Sequence, residues 1–224
     1  MTTDASLRDE IVRVGRSLFE RGYVHATAGN ISVRLSADQG GGFLITPTDA
    51  CLGRLDADRL AHVAADGTQT SGDTASKTLA LHRRIYDADP DAHCVIHTHS
   101  THLVALTLAA PPAAGQDLLP PITPYFVMKV GHVPLIAYHR PGDPAVGELV
   151  AQAIAAARAR GAPIRAVMLE RLGPNVWHRS PAAAMATLEE LEETARLWQL
   201  GGRAIKPLRP EQIDELRRSF GAAW

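Results

Sequence analysis

Asp91-Ala-His-Cys-Val-Ile-His-Thr-His-Ser-Thr-His102 is the stretch whose reading decides the fold. It follows Ala88-Asp-Pro90, where the proline closes any preceding helix. Cys94-Val-Ile96 is an unbroken apolar run and predicts a buried strand. His97 and His99 stand two apart at its end, so their imidazoles leave the same face. A lone histidine here would read as a polar strand end satisfied by hydrogen bonds. The pair reads as half of a divalent transition-metal site, because neutral imidazole nitrogen suits Zn, Ni, Co or Fe(II). His102 lies beyond, in a segment predicted to turn into a helix near Ser100.

Upstream, Leu7, Ile11, Val14, Leu18 and Phe19 recur at helical spacing, with Ser6 as a candidate N-cap and Gly22 as a stop. Ile31, Val33 and Leu35 then alternate with Ser32 and Arg34, the pattern of a half-buried strand. Thr27-Ala-Gly-Asn30 precedes that strand in a turn whose donors can cradle an anion. A Gly-rich turn over residues 36–42 returns the chain as Phe43-Leu-Ile45, which ends in a second polar turn, Thr46-Pro-Thr-Asp49. Taken singly, each turn reads as ordinary loop chemistry. A short strand is predicted over Ala61-His-Val-Ala64. A helix follows from Leu79 to Tyr86, with Leu79, His82 and Tyr86 on one face. Ser76 and Lys77 are expected in its first turn, where free N–H groups and the positive helix end favour a phosphate. Three polar turns and this helix start are expected at one end of a sheet.

Downstream, an Ala/Leu helix is expected from Leu103 to Ala109, and the prolines of Leu118-Leu-Pro-Pro-Ile-Thr-Pro-Tyr125 predict an extended run. Val127 to Val130 and Val133 to Tyr138 read as strands broken at Gly131. Val146 to Arg160 reads as a helix. Ala166-Val-Met-Leu-Glu170 and Asn175-Val-Trp-His178 read as a hairpin around Leu172-Gly-Pro174. Pro181 opens a long helix to Leu200, and residues 205–224 form a tail with one short helix. Strands linked by hairpins, with helices before, between and after, predict a mixed α/β layered fold. The expected arrangement is a single domain over residues 1–224, with a central, mostly antiparallel sheet flanked by helices.

The 224 residues are 46% hydrophobic, ample for one core. A net charge of −1, from 23 basic and 24 acidic residues, gives no reason to expect nucleic acid or a membrane surface as partner. Only Cys51 and Cys94 are present, in keeping with a reducing compartment. The N-terminal residues are polar, and no apolar run reaches membrane-spanning length. A cytoplasmic protein is expected.

Thr27-Ala-Gly-Asn30, Ile45-Thr-Pro-Thr48, Ser76-Lys77 ahead of a helix with His82, and His97-Thr-His99, in this order, resemble the class II aldolase (fuculose-phosphate aldolase-like) family. The resemblance runs over nearly the whole chain. Leu119-Pro-Pro-Ile-Thr-Pro-Tyr-Phe-Val-Met-Lys-Val-Gly131, Tyr138-His-Arg-Pro-Gly-Asp-Pro144 and Leu188-Glu-Glu-Leu-Glu-Glu-Thr-Ala195 resemble its 3-oxo-tetronate 4-phosphate decarboxylase branch. The resemblance implies a divalent metal, commonly zinc, held by three histidines, together with a carboxylate acid/base and a phosphate pocket. It also implies a homotetramer with sites at subunit interfaces, and a phosphorylated sugar acid as the small-molecule partner. Phosphate contacts are expected from Thr27, Asn30, Thr48, Ser76 and Lys77.

Two positions depart from the family pattern. The acid/base carboxylate position is Thr78, and the third-histidine position is Leu172. A threonine cannot shuttle protons near neutral pH, and a leucine cannot bind metal. Aldol cleavage needs a tuned base, whereas loss of CO2 from a β-keto acid itself delivers an electron pair to the polarised carbonyl. The missing carboxylate therefore weighs less against a decarboxylase, a carbon–carbon lyase, than against an aldolase. A class II sugar-phosphate aldolase and a catalytically dead binding subunit remain the alternatives. Glu170, two residues before Leu172, and His178, across the hairpin, are the candidates for the open ligand position. Tyr125 and Lys129 are candidates for substrate contact or proton return.

Overall fold

A computed structural model describes residues 4–109 and 111–224; Met1–Thr3, part of the polar N-terminus, lie outside it. The described residues fall into two compact units, one within residues 4–99 with 177–185 and the other within residues 100–109 and 111–176 with 186–224.

In the first unit, α1 (Asp4–Glu20) buries Leu7, Ile11, Val14 and Leu18, the face its periodicity marks. The helix begins at Asp4, so Ser6 lies inside it rather than capping it. The strands are β1 (Asn30–Arg34), β2 (Phe43–Ile45), β3 (Ala61–Val63), β4 (Gln69–Ser71) and β5 (Cys94–His97). They run in the order β4-β3-β2-β1-β5, every neighbouring pair antiparallel. β4 is absent from the sequence reading because all three of its residues are exposed and polar, leaving no apolar signal. α2 (Leu79–Ala88) buries Leu79, His82, Ile85 and Tyr86. It starts after Thr78, so Ser76 and Lys77 form the turn that leads into it rather than its first turn.

The register of β1 fixes the geometry that follows. Ser32 lies opposite Ile45 on β2, and Asn30 lies opposite His97 on β5. The start of β1 and the ends of β2 and β5 therefore share one end of the sheet.

The second unit opens with α3 (Thr101–Leu106). Buried Glu192 accepts hydrogen bonds from the backbone N–H groups of His102 and Leu103 and from His102 Nδ1, closing the free donors at that helix start. The unit also contains β6 (Leu135–Ile136), α4 (Ala145–Ala159), β7 (Ala166–Leu169) and α6 (Pro210–Phe220). β6 runs parallel to β7, and β7 forms a hairpin with β8 (Gly173–His178), Leu169 facing Gly173. β8 and α5 (Pro181–Gly201) each have residues in both units.

The strand expected over Val127 to Val130 is instead a π-helical turn, Phe126–Val130. Thr123 Oγ1 accepts from the Phe126 N–H at 3.0 Å, and the Gly131 N–H closes the wide turn on the Phe126 carbonyl at 2.9 Å. Phe126, Val127 and Val130 are buried while Lys129 is exposed, a helical spacing rather than an alternating one. Gly131, at φ 80° and ψ −154°, makes the exit, in a region open essentially to glycine alone. Tertiary burial and a capping threonine outweigh the β preference of two valines.

Candidate active site

His97 closes β5 and is 5% exposed. Its ring centroid lies 5.1 Å from that of His99, with the rings at 69°. Burial, with His25 as a smaller cause, pushes the His99 pKa below the usual imidazole value, which favours the neutral ring. A neutral ring with a free lone pair is the form that binds metal. His25 stands 6.3 Å from His99, ring to ring. The sequence reading passed over His25; its position two residues ahead of Thr27, at the entry to the anion-cradling turn, was the available signal.

The loop before β1 is pressed against this pair. Gly29 has φ 82°, and a Cβ there would lie 2.8 Å from the His97 carbonyl oxygen, so only glycine lets the loop approach so closely. Ala26, at φ 47°, holds a conformation alanine rarely adopts. Thr46 Oγ1 accepts from the Ile31 N–H, and the Thr46 N–H returns a bond to the Ile31 carbonyl. The Ser76 N–H reaches the Thr46 carbonyl at 3.3 Å, and the Thr48 N–H reaches the Thr74 carbonyl at 2.8 Å. The turns carrying Asn30, Thr48 and Ser76 are thus tied together at the sheet end that holds His97. Thr27 and Lys77 are exposed in the same turns.

Behind this end lies a buried polar cluster. Ser32 Oγ is 2.7 Å from His82 Nδ1 and 2.7 Å from the Tyr86 hydroxyl, which donates to the Ser32 carbonyl at 2.9 Å. His82 is 0% exposed, and burial drives its pKa down to about 3, with His97 a lesser cause. Asn30 Oδ1 and His82 Nε2 are buried with no hydrogen-bond partner among the described residues. An unpaired buried polar atom costs about 1–3 kcal/mol, and Asn30 sits at the mouth of the expected phosphate cradle.

A cavity of 650 Å³ adjoins the second polar turn, lined among others by Thr48, Asp49, Arg54, Arg59 and Asp73. Of the expected phosphate contacts it includes only Thr48, and the Arg59 guanidinium is already bonded to Asp73 at 2.7 Å.

Tyr125, Lys129 and Glu170 belong to the second unit. Tyr125 is 62% exposed at the head of the π-helical turn, and Lys129 is exposed within it. The Glu170 carboxylate accepts from the Tyr138 N–H at 2.9 Å and lies 3.8 Å from Arg171 Nε. In the first unit, His178 Nδ1 accepts from the Arg179 N–H at 2.8 Å. Among the described residues no three His, Cys, Asp or Glu side chains converge to hold an ion. Two imidazoles with ring centroids 5.1 Å apart, with buried unpaired polar atoms nearby, fit a divalent ion as part of its shell.

The model of the class II aldolase and adducin N-terminal domain matches residues 9–199. A 3-oxo-tetronate 4-phosphate decarboxylase of Cupriavidus necator is 55% identical, with the alignment covering 100% of each chain. The crystal structure of YgbL from Escherichia coli is 40% identical with a TM-score of 0.85, over 96% of this chain and 99% of that one. L-fuculose 1-phosphate aldolase shares the fold at 22% identity and a TM-score of 0.79, over 96% of each chain. No helix of the described residues is long and apolar enough to cross a membrane. This mixed α/β chain, with its mostly antiparallel strands, belongs to the class II aldolase and adducin N-terminal domain family.

Proposed function

We propose that this chain is a metal-dependent carboxy-lyase that converts 3-oxo-tetronate 4-phosphate to dihydroxyacetone phosphate and CO2. The observation that carries the reading is the gathering of His97, Asn30 and the Thr48 and Ser76 turns at one end of the first unit's sheet. The name borne by the 55% identical relative supports the same substrate.

In this reading His97 and His99 would hold the ion as part of its shell, and Glu170 is the carboxylate proposed for the position where the family has its third histidine. When bound, the ion supplies Lewis acidity at the substrate's keto group. Thr27, Asn30, Thr48 and Ser76 hold the 4-phosphate through hydroxyl, amide and backbone donors, and Lys77 adds a positive charge. With the phosphate fixed, the scissile C1–C2 bond is held beside the imidazole pair. That bond breaks, CO2 leaves, and the electron pair passes toward the keto oxygen. Carbon 2 then takes a proton, and Tyr125 and Lys129 are the groups that return it. No residue has to abstract a carbon-bound proton, so Thr78 is compatible with the reaction. Zinc as the ion and a homotetrameric assembly are part of this reading and follow the family resemblance; a cytoplasmic location is part of it too and follows the composition, with its two cysteines and polar N-terminal residues. One domain over residues 1–224 is likewise part of this reading.

The test is incubation with 3-oxo-tetronate 4-phosphate, following CO2 and dihydroxyacetone phosphate together. Equal, metal-dependent release of both is expected. Release of an aldehyde from a sugar phosphate without CO2 would make the chain an aldolase. Bound metal with no turnover of either substrate would make it a binding subunit.

A further inference from the structure

Trp224, beyond α6, touches both ends of the π-helical turn. Its ring lies edge-on to Phe126, the first residue of that turn, with centroids 5.8 Å apart and planes at 64°. It also stacks on His132, just past Gly131, at 4.2 Å and 26°. Such aromatic pairs contribute beyond their buried area and have preferred geometries, so they resist sliding. Each end is held from its other side as well. His132 Nδ1 is 2.6 Å from Asp117 Oδ2, and the adjoining backbone pairs through the Leu118 N–H and the Val133 carbonyl at 2.8 Å. Phe126 is capped by Thr123, whose hydroxyl also reaches Glu190 at 3.4 Å. A Cβ on Gly131 would sit 3.5 Å from the Ala223 carbonyl oxygen, so the backbone before Trp224 lies against the exit of the turn. The approach is anchored by the Leu208 N–H on the Pro121 carbonyl at 2.7 Å.

A π-helical turn lacks the regular bonding of an α-helix, and its side-chain directions depend on what packs around it. The residues it presents to solvent are Tyr125 and Lys129, one before it and one within it. We propose that Trp224 is a positioning residue for the reaction: by bridging Phe126 and His132 it sets where Tyr125 and Lys129 project. The inference rests on the decarboxylase reading, in which those two residues return the proton to carbon 2.

The experiment is a double-mutant cycle on the metal-loaded protein, with thermal unfolding recorded for every variant. Trp224→Ala in the otherwise unchanged chain is expected to lower kcat roughly 10-fold or more, as displacement of a group by about 1 Å would, with KM for 3-oxo-tetronate 4-phosphate nearly constant. Trp224→Phe keeps an aromatic face against His132 and is expected to stay within about 3-fold of the parent; it also serves if the alanine variant does not fold. In a Tyr125→Phe, Lys129→Met background, Trp224→Ala is expected to cost nothing further, because the groups it positions are gone. The same loss in both backgrounds, or none in either, overturns the proposal while leaving the decarboxylase reading standing. A Tyr125→Phe, Lys129→Met variant with unchanged kcat removes the proton-return roles themselves, and the proposal falls with them.

Discussion

Cys94-Val-Ile96 and Phe126-Val-Met128 are both short apolar runs with valine at their centre, each followed closely by a candidate functional residue, His97 in one case and Lys129 in the other. The first run is a strand buried throughout and paired antiparallel with β1. The second is a π-helical turn with buried residues at 126, 127 and 130 and an exposed one at 129. Side-chain branching separates them only slightly, with Val95 and Ile96 β-branched in the first run and Val127 alone in the second. The difference lies outside each run: β1 offers the first a complementary edge, while Thr123 and Gly131 offer the second a cap and a left-handed exit. A strand end set by a ladder holds its side chains through many cooperative bonds. A π-helical turn depends on the few groups packed at its ends, so the first region should be rigid by its own construction and the second only by its neighbours.

The largest expected difference between the regions is in acid. His82, beneath the His97 end, is buried and neutral, with a pKa of about 3 against an ordinary 6.5. The folded state thus binds the proton less readily than the unfolded chain. The stability it contributes is fully present above pH 6.5 and is lost as pH falls from 6.5 toward 3. For the metal-free protein, denaturant unfolding across that window should show a loss of a few kcal/mol, and His82→Gln should flatten it. A His82→Gln variant with the same slope would assign the acid sensitivity elsewhere.

A smaller contrast comes from two glycines. Gly29→Ala meets both a left-handed φ and a Cβ contact of 2.8 Å with the His97 carbonyl oxygen, whereas Gly131→Ala meets the φ penalty with its nearest contact at an ordinary 3.5 Å. Each strained residue costs about 1–3 kcal/mol, and the Gly29 variant is expected to lose more on thermal unfolding and to bind metal more weakly. If Gly131→Ala were the costlier change, the order of rigidity argued above would be inverted.

The smallest effect concerns the rim of the first region. Lys77 is exposed, so Lys77→Ala should leave folding unchanged and raise KM for the phosphorylated substrate about 10-fold, with a far smaller change for a dephosphorylated analogue. Equal changes for both substrates would move Lys77 out of the phosphate contacts.

What could be read in the residues follows the same division. His97 was legible as the end of an apolar run and His99 by its spacing of two from it, both purely local signals, although β5 stops at His97 and His99 lies just beyond the strand. β1, β2 and the β7–β8 hairpin were legible for the same reason, each bounded by a polar or glycine-rich turn. The joining of the Asn30, Thr48 and Ser76 turns was expected from order along the chain, and its detail came from the register of Asn30 against His97. His25 escaped notice because its nearness to His99 depends on the path of a loop held by Ala26 and Gly29 at positive φ. Likewise Phe126–Val130 escaped because its shape is set by Thr123, Gly131 and the distant Trp224, none of which alters the local hydrophobic pattern.

The central claim, that the imidazole pair at the end of β5 holds the ion on which decarboxylation depends, is tested most directly by titrating chelator-treated protein with a divalent metal while following CO2 release from 3-oxo-tetronate 4-phosphate. Activity is expected to rise and saturate at about one ion per chain. In His97→Ala the bound metal should be lost and activity should fall by about 1,000-fold, equivalent to about 4 kcal/mol of lost transition-state stabilisation. Full CO2 release from metal-free protein, or full metal retention in a His97→Ala, His99→Ala double variant, would contradict it.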